Sequence, residues 1–97
     1  MKAVFITFDQ SHKVDVIRIL DKYLIRGFTF WDGTQGRGSG TGEPHYGSHA
    51  WPSLNNSILT IVEDRQVKNL KESLTQLDQA SPMLGLRVFV WGIDETF

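Results

Sequence analysis

Residues 34–54, TQGRGSGTGEPHYGSHAWPSL, constrain the fold of this chain more than any other stretch. Six of the nine glycines crowd in or beside it, at Gly33, Gly36, Gly38, Gly40, Gly42 and Gly47, together with Pro44 and Pro52. Such a run continues neither a helix nor a central strand. Connections longer than about 12–15 residues are uncommon in compact domains and are usually functional or disordered. The chain must therefore fold as two halves around this segment, and each half must be read separately.

The first half opens with AVFITF at 3–8, β-branched and aromatic in the manner of a strand. Ser11 is placed to cap a helix, with Asp15 in the first turn. Val14, Ile17, Leu20 and Leu24 follow at helical spacing, and Gly27 fits the residue beyond the end. Phe28 to Trp31 form a short second strand. In the second half, Asn56 to Val62 form a third strand, and Asp64 is placed to cap a helix with Val67, Leu70, Leu74 and Leu77 on one stripe. Ser81-Pro82 ends that helix, and Leu86 to Trp91 form a fourth strand. The order β-α-β, long loop, β-α-β predicts an α+β, ferredoxin-like βαββαβ fold: a four-stranded antiparallel sheet with two helices on one face. Ninety-seven residues suffice for one domain, 1–97.

Strand side chains alternate between faces. With Val4, Ile6, Phe8, Val88 and Val90 toward the helices, Phe5, Trp31, Phe89 and Trp91 fall on the uncovered face. A cluster of aromatics in water marks an interaction surface. Other copies of the chain, or the loop folded back, are the two ways to cover it.

The formal net charge of −1 gives no general attraction to nucleic acid or anionic membrane. No apolar run approaches the roughly 18 residues of a membrane span, and MKAVFITFDQ does not read as a signal peptide. Zero cysteines exclude disulfides, thiolate metal sites and cysteine nucleophiles, and fit a cytoplasmic location.

The loop carries three chemistries. In GRGSGTG, glycine lets backbone N–H groups converge on an anion, and Arg37 offers a bidentate phosphate contact. The GK[ST] ending of a P-loop is missing, and a strand follows instead of a helix; a flexible linker is the other reading. In EPHYGSH, Glu43, His45 and His49 are of the types that hold a divalent metal, although Pro44 and Gly47 keep them off a helix. Tyr46 and Trp51 are candidates for contact with a partner protein, although anchoring the loop to the body is the first reading of Trp51. Support for catalysis is thin: Asp9, His12 and Asp32 fall near strand ends, and His12 reads as a solvated residue of the first helical turn.

The chain resembles the PII signalling superfamily, as a PII-like protein outside its main nitrogen-regulatory group. GFTFWDGTQGRG resembles the PII segment that runs from the first helix into the G-x-G at the base of the T-loop, and LRVFVWGIDE resembles the fourth PII strand, where a lysine precedes an apolar run. The departures are a short SPMLGL before the fourth strand and Ser39 where a glutamine is expected. The resemblance implies a homotrimer with its sheets packed inward. It implies a small anionic effector, such as an adenine nucleotide, bound in clefts between subunits at the loop base. PII proteins bind ATP, ADP and 2-oxoglutarate there and dock the T-loop on transporters or enzymes. By position, Gly36, Arg37 and Gly38 would meet the nucleotide, Arg87 would replace a phosphate-binding lysine, and residues 34–54 would be the T-loop. The alternatives are a metal-binding branch of the superfamily using the loop histidines and, below it, a small enzyme acting in the cleft.

Overall fold

The computed structural model describes residues 1–37, 44–47 and 54–97. Strand β1 (Lys2–Asp9) leads through a single 3₁₀ turn (Gln10–His12) into helix α1 (Lys13–Lys22); β2 (Thr29–Thr34), β3 (Asn55–Val62), helix α2 (Asp64–Ala80) and β4 (Arg87–Gly92) follow. The sheet is antiparallel in the order β2-β3-β1-β4, so β2 and β4 are its two edges. This is the expected ferredoxin-like architecture.

One face of the sheet makes the core. Val4, Ile6 and Phe8 of β1 lie opposite Thr60, Ile58 and Asn56 of β3, and the apolar ones pack with Val16, Leu20, Leu70 and Leu74 of the helices. Each such side chain contributes about 1.5–3 kcal/mol by leaving water. Thr60 sits among them because its hydroxyl has a partner: Oγ1 donates to the Gly27 carbonyl at 2.7 Å.

The helix ends differ from the sequence expectation. Asp9, not Ser11, is the cap: its Oδ2 accepts from the Ser11 amide at 2.9 Å and from the Ser11 hydroxyl. The 3₁₀ turn that follows resets the helical phase. The buried stripe of α1 is therefore Val16 and Leu20, while Val14 and Leu24 face water. At the far end Leu24, not Gly27, adopts the left-handed conformation (φ +60°). Its amide donates to Asp21 O and the Ile25 amide to Leu20 O, the paired bonds of a Schellman ending. Helix α2 is capped one residue early, at Glu63, whose amide donates to Gln66 Oε1 at 3.0 Å.

The second strand runs three residues past Trp31, to Thr34. Its register shifts between Trp31 and Thr34, where Gly33 takes φ +72°. This bulge is held by the Gly33 amide, which donates to Asn56 Oδ1 at 3.2 Å.

Candidate functional site

The loop leaves and re-enters the sheet at one end, where Thr34 of β2 lies opposite Asn55 of β3, and Asn55 opposite Asp9 of β1. Two residues beyond β2 the outgoing limb pairs with the returning one. Gly36 N donates to His45 O at 3.0 Å, and His45 N donates to Gly36 O at 2.7 Å. The Gln10 amide donates to Leu54 O at 2.9 Å and ties the end of the loop to the turn after β1. Gly47, at φ +63°, lets the returning limb pass Leu54; a Cβ there would stand 2.6 Å from Leu54 Cδ2. Gly36 and Arg37 are thus mounted on a braced pair of limbs.

His45 is the centre of this bracing. It is 1% exposed, and its ring reaches the side-chain oxygen Oδ1 of Asn55 through Nδ1. Asp9 Oδ1 lies 3.6 Å from the same nitrogen. Two acceptors at Nδ1 place the proton there, which leaves Nε2 buried without a hydrogen-bond partner. Asp9 Oδ1 likewise has no hydrogen bond. His12 is also buried, contrary to the solvated position expected from sequence: Nδ1 is 3.9 Å from Asp15 Oδ2, and Nε2 has no partner.

The remaining candidates are spread out. Arg37 is exposed, with its guanidinium 5.9 Å from the centre of the half-buried Tyr46 ring. Tyr46, read from sequence as a partner contact, thus has an intramolecular neighbour. Gly38, Glu43, His49 and Trp51 lie outside the described residues. Among the described residues no group of three His, Cys, Asp or Glu side chains is placed to hold a metal ion, and the imidazole of His45 is committed to Asn55 and Asp9.

Arg87 begins β4, opposite Thr7. That puts it at the same end of the sheet as Gly36 but on the other edge strand. Three strand spacings, about 14 Å, separate the two edges, so one chain does not bring Arg87 and Gly36–Arg37 together.

The uncovered face matches the alternation argument. Trp31, Phe89 and Trp91 are each 43–55% exposed, with Ile61 beside them. Phe5 meets Trp31 edge-on, ring centres 6.4 Å apart. At the loop foot Phe5, Trp31, Thr34 and Ser57 line a shallow cavity of about 270 Å³, where the Thr34 and Ser57 hydroxyls hydrogen-bond at 3.2 Å. A second cavity, about 340 Å³, opens beside the β4 edge between Val67, Leu70, Val88 and Val90.

A four-stranded sheet with two helices on one face suits many proteins; a long loop braced at its base between β2 and β3 is more particular. Solved structures share the fold over most of its length. CPII, a nitrogen regulatory PII-like protein from Thiomonas intermedia K12, superposes in its form bound to ADP, AMP and bicarbonate with a TM-score of 0.74 at 23% identity, over 95% of this chain and 88% of that one. This chain has the PII-like fold. The apo form of CPII gives a TM-score of 0.71 at 20% identity over 93% and 85% of the two chains. The form bound to ADP and bicarbonate gives 0.74 at 23%, over 93% and 82%. No protein-family model and no curated protein matches the sequence. Among the described residues no helix is long and apolar enough to cross a membrane.

Sequence reasoning missed the Asp9–Asn55–His45 cluster. Its signal was the run of polar residues where strands end, Asp9 and Asn55-Asn56, because polar groups buried at strand ends need partners.

Proposed function

We propose that this chain is a PII-like regulatory protein of the cytoplasm. It assembles as a homotrimer, binds a small anionic effector, an adenine nucleotide, between subunits, and signals to a partner protein, a transporter or an enzyme, through residues 34–54. The observation that carries this reading is the placement of the two basic contacts. Gly36–Arg37 and Arg87 stand at one end of the sheet on opposite edges, β2 and β4. Head-to-tail contact between the β4 edge of one copy and the β2 edge of the next would join them into one site per interface. Such contacts close into a ring when the rotation permits.

Two further features support it. The ring would turn Phe5, Trp31, Phe89 and Trp91 inward, removing apolar surface from water. The fold neighbour CPII was solved with ADP, AMP and bicarbonate bound. In such a cleft, Gly36, whose own amide is held by His45 O, has no side chain to keep a phosphate from the backbone, and Gly38 is the second glycine of the G-x-G. Arg37 and Arg87 supply charge-assisted hydrogen bonds, which are roughly twice as strong as neutral ones.

Titration calorimetry with ADP, with and without bicarbonate, tests the proposal on protein whose mass is fixed by light scattering. The expected result is a trimer that binds ADP, and an Arg87→Ala variant of the same mass with about tenfold weaker affinity. A monomeric protein, or equal affinity in Arg87→Ala and Gly38→Val variants, overturns it.

A further inference from the structure

His45 touches three separate segments at the loop foot. Its backbone holds Gly36 by two hydrogen bonds, and its ring holds Asn55, where the chain re-enters the sheet, and faces Asp9, where β1 ends. Asp9 passes the connection on, because its other carboxylate oxygen caps the turn before α1 at the Ser11 amide. A residue that only filled this space would be apolar. An imidazole buried with one nitrogen unpartnered costs folding free energy that a leucine would not. What the imidazole adds is direction. The Asn55 side chain holds Nδ1 by a hydrogen bond, with the Asp9 carboxylate 3.6 Å away; Nδ1 fixes the ring, and the ring fixes the backbone that pairs with Gly36.

We infer that His45 is the positioning residue of the ligand site: it holds Gly36, and through it the backbone of Arg37, in the arrangement an anion meets. The inference rests on the reading of Gly36–Arg37 as ligand contacts. Arg37 is joined to the same limb a second time, by its guanidinium over the Tyr46 ring. A phosphate that draws this guanidinium away from Tyr46 leaves the Gly36–His45 pairing as what still holds the two limbs in register. His45 therefore acts through the backbone, without touching the ligand.

Three proteins test this: the parent, His45→Ala and His45→Asn. An asparagine amide N–H₂ can stand where Nδ1–H stands and donate to Asn55 and Asp9. Amide hydrogen exchange reads the pairing and ADP titration reads the site. In His45→Ala, exchange at the amides of Gly36 and position 45 should quicken by about tenfold, the value of one hydrogen bond. Protection across the β1–β3 pairing should stay as in the parent, ADP affinity should fall by a similar factor, and His45→Asn should restore both. Three results overturn the inference: unchanged exchange at Gly36 in His45→Ala, protection lost throughout β1 and β3, or a His45→Asn variant as impaired as His45→Ala. If the parent itself takes up no ADP, the nucleotide reading falls, and the exchange ratios at Gly36 alone decide whether His45 positions the loop base.

Discussion

Replacing Phe89 with aspartate should dissolve the proposed trimer and leave the fold intact. Phe89 lies on β4, opposite Phe5, with its ring on the face away from the helices. It is 55% exposed in the single chain. An aromatic side chain carries about 200 Å², so about 100 Å² remains to be covered by a neighbour. At about 25 cal/mol per Å² this is worth about 2.5 kcal/mol per protomer, and about 7–8 kcal/mol in a closed ring of three. An unpaired carboxylate in the same place adds a desolvation cost of several kcal/mol. The association constant of the trimer should fall by at least about 10⁵, which moves a protein trimeric at micromolar concentration to monomer. Sedimentation velocity across a concentration series reads the mass, and far-UV circular dichroism checks the fold. A Phe89→Asp variant that still sediments as the parent trimer refutes the argument, since no ring packed on this face tolerates three buried carboxylates. So does a parent protein that is monomeric throughout.

Two other substitutions test local physics. Leu24→Gly should stabilise the fold: a leucine in the left-handed region costs about 1–2 kcal/mol, glycine gives back about 0.5–1 in backbone entropy, and a side chain 77% exposed loses little burial. A rise of a few degrees in melting temperature is expected, and a fall would mean that Leu24 has a packing partner in the assembly. Gly47→Ala should act oppositely, because φ +63° and the approach to Leu54 leave no room for Cβ. Displacing Leu54 should quicken exchange of the Gln10 amide, which donates to its carbonyl; unchanged protection there would show that the limb has another path.

The sheet was legible because its signal is local. A period of two in AVFITF and LRVFVW sorted inner from outer side chains, and the aromatic face followed without knowledge of the partner. The stripe of α2 was legible for the same reason at period 3.6. What failed depended on where a period starts. The 3₁₀ turn after Asp9 consumes three residues and rotates α1, so the stripe became Val16 and Leu20. The chain then left the helix after Lys22 and took its left-handed turn at Leu24, before the glycine that chemistry favours, and Ile25 enters the core. At the candidate site, Gly36 and Arg37 were legible as a glycine-rich basic stretch. His45 reads from sequence as a metal ligand; its bracing role was not legible, because its environment is made by Asp9 and Asn55, which are 46 residues apart in sequence. Arg87 entered only through the resemblance, since nothing near it in sequence marks it.

The pairing of Gly36 with His45 also has a consequence for how the protein can change. It closes the connection at its foot, joining the two limbs between the sheet and residues 38–43. Lengthening a closed loop is cheap: each doubling adds only about 0.6 kcal/mol of closure entropy. A longer sequence spliced between residues 38 and 43 should therefore leave the Gly36–His45 pairing in place, which amide exchange at Gly36 would check. In the proposed regulatory role, the effector contacts would then stay with the frame while the recognition sequence varied in one short interval of the chain.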